Sequence, residues 1–225
     1  MRIGIDLHGL SGVAQGSRTY IYSLTQSLLS IDRQENTYYL YLPHNLRNIP
    51  ASWLNRTNVI RRKLRTNNRY SRLLAEFSIR SAFDGLDILH CQYMPPLFTH
   101  CARILTIHDI LHETRPEFYP SRLKKMMRIF YPLGARRATF IITGSEFSKN
   151  EIERIYKIPP GRIIVTPYAA SEDYRKLEDT SRFEDIADRY GLPDQYILFV
   201  GRLEPRKNID GLINAFAQLR RNKPI

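Results

Sequence analysis

Residues 1–29 read MRIGIDLHGLSGVAQGSRTYIYSLTQSLL, and their pattern sets the fold class. Ile3, Ile5 and Leu7 alternate as in a buried strand. Polar Asp6 and His8 mark the strand's end, and a glycine-containing polar loop follows from Gly9 to Ser17. Tyr20-Ile21, Leu24 and Leu28-Leu29 then recur at helical spacing. Strand, glycine loop and helix in that order open a βα unit.

The same alternation continues outward. Tyr38–Leu42 reads as a strand bounded by Pro43, Asn58–Leu64 as a third, and residues 69–83 as a helix. Leu86–His90 and Arg103–His108 are short apolar strands. Ser121–Ala138 is helical with a break expected at Pro132. Phe140–Thr143 is a strand, Ser145–Ile155 a helix with Ser145 as N-cap, and Ile163–Thr166 a strand. This order predicts an α/β fold with a parallel sheet covered by helices on both faces. In such sheets ligands bind beyond the carboxyl ends of the strands. Asp6-Leu7-His8, His90, His108-Asp109, Gly144-Ser145 and Pro167-Tyr168 occupy those ends.

Residues 171–194 are polar, mixed in charge and read as a connector with a short helix at Phe183–Tyr190. Tyr196–Val200 is strongly apolar and predicts a new strand. It leads into Gly201-Arg202-Leu203-Glu204-Pro205-Arg206-Lys207-Asn208 and a helix with Ile209, Leu212-Ile213, Phe216 and Leu219 on one face. The domain reading is therefore 1–170, a linker at 171–190, and the start of a second unit at 191–225.

The chain's 225 residues are 43% hydrophobic and 25% charged, which excludes disordered, collagenous and low-complexity classes. Its 34 Lys+Arg exceed 22 Asp+Glu, a net charge of +12 that favours an anionic partner. Asn55–Arg72 carries seven cations and no acid, and Ser121–Arg137 carries six and no acid. Such surfaces suit an anionic bilayer, at roughly 1 kcal/mol per nearby cation, or an acceptor linked to a polyprenyl diphosphate. A merely solvated face is the competing reading. Nucleic acid is disfavoured, because no RNP-like, KH-like or zinc-finger pattern occurs. Cys91 and Cys101 form no CxxC and have no histidine cluster beside them, so two reduced thiols are expected and no structural zinc. No apolar run approaches the ~20 residues of a membrane span, and Asp6 interrupts any signal-peptide core. A cytoplasmic protein is expected, with any membrane contact peripheral, on the inner face of the cell membrane.

The richest local chemistry is the loop at Gly201–Asn208. Gly201 permits a tight turn, and Arg202 and Lys207 bring two cations to the start of a helix whose amides favour anions. A diphosphate is the natural partner. Tyr196–Phe216, YILFVGRLEPRKNIDGLINAF, resembles the opening of the nucleotide-sugar domain in family 4 glycosyltransferases of GT-B fold. The resemblance implies that Arg202 and Lys207 bind the donor diphosphate and stabilise the leaving nucleoside diphosphate.

Other stretches resemble the same family. Leu105-Thr106-Ile107-His108-Asp109 is similar to its strand-ending His-Asp, which implies a catalytic role near the transferred sugar for His108 and Asp109. Ile142–Ser148 resembles its SEFS helix start, leaving Ser145 and Glu146 open between capping and lining the site. Ile163–Tyr168 resembles the strand before the interdomain linker, with Tyr168-Ala169-Ala170 replacing the usual Pro-x-Gly turn. After the first strand the family commonly has a GG-x-G loop facing donor phosphate and acceptor. Gly12 and Gly16 remain here, and Arg18 stands close to where a further glycine is common. Gly16 is assigned to the donor diphosphate, and Gly12 and Arg18 to the acceptor side.

The resemblance implies a Rossmann-like, doubly wound acceptor domain followed by an incomplete second Rossmann-like domain. It implies a retaining transferase that moves a sugar from a nucleotide diphosphate sugar to a polysaccharide or lipid-linked glycan, with no cofactor and no metal. The family's downstream Glu-x7-Glu motif has no counterpart, so the 225 residues alone are expected to bind donor poorly and to be inactive. Two alternatives stand beside this reading. One is a non-catalytic acceptor- or membrane-binding subunit needing a separate donor-domain chain. The other is a sugar-nucleotide epimerase of related architecture, which the Gly201–Asn208 loop argues against.

Overall fold

A computed structural model describes residues 1–11, 16–44, 46, 49–65, 75–96, 98–171, 174–176 and 181–222. The chain divides into two compact units, Met1–Ala169 and Ala170–Ile225.

The first unit is built on seven parallel strands: β1 (Arg2–Asp6), β2 (Thr37–Leu42), β3 (Val59–Lys63), β4 (Ile88–Gln92), β5 (Ala102–Thr106), β6 (Phe140–Thr143) and β7 (Ile163–Val165). Their order in the sheet is β3-β2-β1-β4-β5-β6-β7. The chain winds one way from β1 to β3 and the other way from β4 to β7, so the switch point lies between β1 and β4. The expected doubly wound α/β fold is therefore observed.

Two apolar clusters cover the two faces. β2 feeds both: Tyr38, Leu40 and Leu42 join one cluster, and Tyr39 and Tyr41 the other. The helix α1 (Gly16–Ile31) adds Ile21 and Leu29 to the first, where Ile5 and Trp53 also pack. Its buried Thr25 hydroxyl donates to the Ile21 carbonyl at 2.7 Å, so that hydroxyl is satisfied inside the core. The short helix α2 (Ala51–Leu54) supplies Trp53, 1% exposed. On the other face lie α3 (Phe77–Phe83), with Phe77 in the cluster, and the short helix α4 (Leu111–Thr114). With them are α5 (Ser121–Arg137), which buries Met127, Tyr131 and Ala135, and α6 (Glu146–Tyr156), which buries Ile152 and Tyr156. Each of the larger aliphatic side chains and phenylalanines among them contributes about 1.5–3 kcal/mol on burial. Gly4 has no room for a side chain, because a Cβ there would sit 2.5 Å from Leu86 Cδ1.

Two local expectations are corrected, and a third is met over its described part. α5 runs unbroken through Pro132. Burial of Met127 and Tyr131 before the proline, and of Gly134 and Ala135 after it, offsets the hydrogen bond the ring removes. The strand expected at Leu86–His90 runs instead from Ile88 to Gln92, because Cys91 and Gln92 pair with Leu105 and Thr106 of β5. Of the helix expected over residues 69–83, the described portion is α3; residues 66–74 lie outside the described residues.

The second unit contains α7 (Ser181–Tyr190), a 3-10 turn at Pro205–Lys207, and α8 (Ile209–Asn222). The strand expected at Tyr196–Val200 is absent. Its five side chains are exposed, Val200 by 84%. A strand needs a neighbour to satisfy its amides, and the described residues of this unit contain no other strand. Asn208 (φ 50°) takes the left-handed conformation that ends the turn, and its carbonyl accepts from Leu212 N–H at 3.2 Å. No helix among the described residues is long and apolar enough to cross a membrane.

Candidate active site

The site lies at the carboxyl ends of β1, β4 and β5, beside the switch point. Its centre is His108, two residues past β5. Ile107 N–H still donates to the Ile142 carbonyl at 2.9 Å, so the chain remains fixed on the sheet up to that point. The His108 carbonyl accepts from Ser148 Oγ at 3.1 Å, which ties it to α6.

Both ring nitrogens of His108 are engaged. Nε2 lies 3.0 Å from Oε1 of Gln92, the last residue of β4, and Nδ1 lies 2.5 Å from Tyr168 Oη, just past β7. Three aromatic rings surround the imidazole: Tyr20 edge-on at 4.8 Å, Tyr93 at 5.4 Å and Tyr168 at 5.6 Å between centroids. Tyr168 also packs against Gly144, where a Cβ would fall inside its ring. Any residue larger than glycine at 144 would push Tyr168 off His108.

A second layer supports the first. His90 Nε2 and Tyr20 Oη both meet Thr106 Oγ1, at 2.8 and 3.0 Å. Tyr93 stacks on Tyr131 at 5.0 Å, and Tyr131 meets His112 edge-on at 4.8 Å. Burial lowers His108 to a pKa of about 4, opposed by Asp109. Burial also lowers His90 to about 4; Asp6 opposes the shift and His108 adds to it. Both imidazoles are therefore neutral near pH 7. Burial raises Tyr168 to about 12, with the charges of Tyr20 and Asp109 adding to the shift.

The expected site residues divide into groups. His108 sits in the cluster. Asp109 is exposed, and its Oδ1 accepts from Leu111 N–H at 3.0 Å, so it holds the start of α4. Its influence on His108 is electrostatic. Ser145 is the N-cap of α6, its Oγ accepting from Ser148 N–H at 3.1 Å. Glu146 is exposed, 4.0 Å from Lys149. Gly16 and Arg18 are exposed at the start of α1, and Gly12 lies outside the described residues. In the second unit Arg202 Nε is 3.0 Å from Glu204 Oε1, and Arg206 binds the other oxygen of that carboxylate at 2.6 Å. Lys207 lies in the 3-10 turn and is exposed. Among the described residues no three His, Cys, Asp or Glu side chains are placed to hold a metal.

Gln92, Tyr20 and Tyr93 belong to the site without having been singled out as site residues; Tyr168 was expected only as a residue closing a strand end. The signal for Gln92 was present, since its strand simply runs two residues further than His90.

A chain with this sheet and this edge has relatives. The model of Glycosyltransferase Family 4 matches residues 14–171. The chain belongs to glycosyltransferase family 4. Over 117 residues it is 36% identical to O-antigen chain mannosyltransferase B of Escherichia coli, covering 52% of this chain and 30% of that protein. Over 87 residues it is 29% identical to the alpha-D-kanosaminyltransferase of Streptomyces kanamyceticus, covering 38% of this chain and 22% of that one. The chain thus spans less than a third of the first curated relative. Among solved structures, sucrose-phosphate synthase from Thermosynechococcus elongatus superposes with a TM-score of 0.66 at 17% identity, over 96% of this chain and 59% of that one. Anabaena HepE in complex with UDP and glucose gives 0.62 at 16% identity, over 97% and 58%. These two likenesses show the shared fold of this family 4 chain.

Proposed function

We propose that this family 4 chain is part of a retaining glycosyltransferase. The enzyme moves a sugar from a nucleotide diphosphate sugar to a hydroxyl of a polysaccharide or lipid-linked glycan. The observation that carries the reading is the neutral His108 held at the switch point between Gln92 and Tyr168. A neutral imidazole can exchange its tyrosine partner for a sugar hydroxyl without stranding a charge. The rings of Tyr20, Tyr93 and Tyr168 offer apolar walls to the carbon face of a sugar. Sugar transfer is also the activity in the names of the mannosyltransferase and kanosaminyltransferase relatives.

In this reading Arg202 and Lys207 take the leaving diphosphate. Arg grips phosphate oxygens bidentately and Lys acts as a point charge. Such preorganised cations act where charge develops in the transition state. Glu204 holds Arg202 until a diphosphate replaces it. Leaving-group charge is met by side chains, so no metal or cofactor is assigned. The thirteen cations of the two acid-free stretches support an anionic acceptor and a peripheral position at the inner face of the membrane. Four of them already serve the protein: Arg56 donates to the Asp32 carbonyl, Arg62 pairs with Asp84, Arg128 pairs with Glu113, and Arg137 lies over the Phe98 ring.

The test uses the full-length polypeptide carrying this sequence. It is incubated with GDP-mannose or UDP-glucose and a lipid-linked oligosaccharide, and products are read by mass spectrometry. One added hexose with an equal yield of nucleoside diphosphate is expected. Acceptor binding with no transfer from either donor would favour a non-catalytic subunit instead.

A further inference from the structure

We propose that the amino edge of the sheet carries a second binding site, for a phosphate ester with an apolar chain. The site is a cavity of about 530 Å³, within the ~300–1,000 Å³ of ligand pockets. Arg103 near the start of β5, Arg137 at the end of α5, α3, and the loop before β5 line it. His108 follows Arg103 by five residues, which along a strand is roughly 16 Å at ~3.3 Å per residue. The cavity is therefore separate from the site at the carboxyl edge. Its ligand is read by binding, independently of any sugar transfer.

Arg103 supplies the charge. Its backbone N–H donates to the Thr139 hydroxyl at 3.0 Å, and its carbonyl accepts from Thr139 N–H at 2.8 Å, so its place on the sheet is fixed. The side chain is half-buried. Burial lowers the guanidinium pKa and the charge of Arg137 lowers it further, opposed by the Cys101 and Cys91 thiols. A half-buried cation with another cation beside it gains from an anion. Among the described residues no acidic side chain lines the cavity. Asp87, whose charge reaches Cys101, instead accepts from the Arg2 backbone N–H at 2.7 Å.

Two hydroxyls of the lining point to the rest of the ligand. Ser78 Oγ, on α3, and Thr99 Oγ1, before β5, are buried without a hydrogen-bond partner among the described residues. Thr99 reaches only the Cys101 thiol, a weak acceptor. Buried polar groups are otherwise satisfied in folded proteins. Each hydroxyl can turn about χ1 and donate without giving up a strong bond. A phosphate has an oxygen for each of them and still offers a pair to the arginine fork. The remaining wall is apolar: Ile79, Ala82 and Phe98, with Ile79 54% and Phe98 66% exposed. The Arg137 guanidinium lies 6.0 Å from the centre of the Phe98 ring. A bare phosphate leaves that wall in water, whereas an alkyl or prenyl chain on the phosphate covers it.

The experiment measures binding of farnesyl phosphate, farnesol and inorganic phosphate to the full-length polypeptide by calorimetry. Farnesyl phosphate is expected to bind at least about ten-fold more tightly than either part alone, and Arg103→Gln to remove about ten-fold of its affinity. Ser78→Ala is expected to weaken it as well, although the hydroxyl holds nothing in the free protein. Binding of GDP and UDP should be unchanged in both variants. Farnesyl phosphate that binds no tighter than farnesol overturns the proposal, as does a folded Arg103→Gln protein with wild-type affinity. Should Arg103→Gln fail to fold, crosslinking of the wild type with a diazirine-bearing alkyl phosphate decides. Adducts on α3 or residues 98–103 support the site, and adducts confined to other segments overturn it. Vesicles of phosphatidylcholine containing phosphatidic acid separate the two sources of such a phosphate. If they compete with farnesyl phosphate, the site takes a membrane lipid; if they do not, it takes a soluble ester. Failure of this site leaves the transferase reading standing.

Discussion

Gln92 Oε1 lies 3.0 Å from His108 Nε2, and that one contact sets the chemistry of the ring. An amide oxygen only accepts, so Nε2 carries the proton. Nδ1 is then the unprotonated nitrogen, and the Tyr168 hydroxyl donates to it. β4 supplies the glutamine, and the loop past β7 supplies the tyrosine. A single imidazole thereby joins two strand ends that are far apart in sequence.

The first prediction concerns pH. His108 and His90 both titrate near 4, below the ~6.5 of an unperturbed histidine. Between those values the unfolded chain binds more protons than the folded one. Stability is therefore full above about pH 6.5 and falls as pH drops toward 4. Denaturant titrations from pH 7.5 to 4 should show this loss. The His108 ring should stay neutral by NMR until near the bottom of that range.

Tyr168→Phe removes the donor to His108 Nδ1 and keeps the ring. A hydrogen bond to the neutral form disfavours charging, so its loss should raise the His108 pKa. The accompanying loss of stability should be small, about 0.5–1.5 kcal/mol. An NMR titration of His108 in the variant checks the direction, and an unmoved titration would place the hydroxyl elsewhere in solution.

Ser145→Ala separates capping from a role in the site. The Ser145 side chain caps α6, so the variant should lose about 0.5–2 kcal/mol. Transfer by the full-length polypeptide should stay within about three-fold of wild type. Thermal melts and rates measured on the same preparation distinguish the two readings.

Tyr156→Phe probes the buried side of the cluster. Tyr156 is 1% exposed, and its Oη lies 3.2 Å from His112 Nε2. Without the hydroxyl, His112 Nε2 loses its hydrogen bond and keeps only the Glu113 carboxylate at 3.7 Å. A cost of about 1–3 kcal/mol is expected, read as a lower denaturant midpoint with an unchanged slope.

The sheet was legible because its strands announce themselves through short range. Ile3, Ile5 and Leu7 alternate, and Phe140–Ile142 is an apolar run closed by Thr143, so both strands stand where expected. His108 was legible too, as a polar residue closing such a strand. Tyr168 was legible as a strand end but not as its partner, and Gln92 and Tyr20 were not legible, because these residues meet only once the sheet from β1 to β7 is assembled. Pro132 misled for a related reason: local preference argues for a break, and burial of Met127, Tyr131 and Ala135 overrides it. Tyr196–Val200 shows the opposite limit. Its apolar pattern is that of a strand, and pattern without a paired neighbour does not make one.

The central claim is that the His108 cluster handles the transferred sugar. The most direct measurement is the kcat of His108→Ala in the full-length polypeptide, with the Kd for GDP and UDP measured in parallel. A fall in kcat of about 10²–10³-fold is expected, with nucleotide binding within about two-fold of wild type. A folded His108→Ala protein that transfers sugar at the wild-type rate would contradict it.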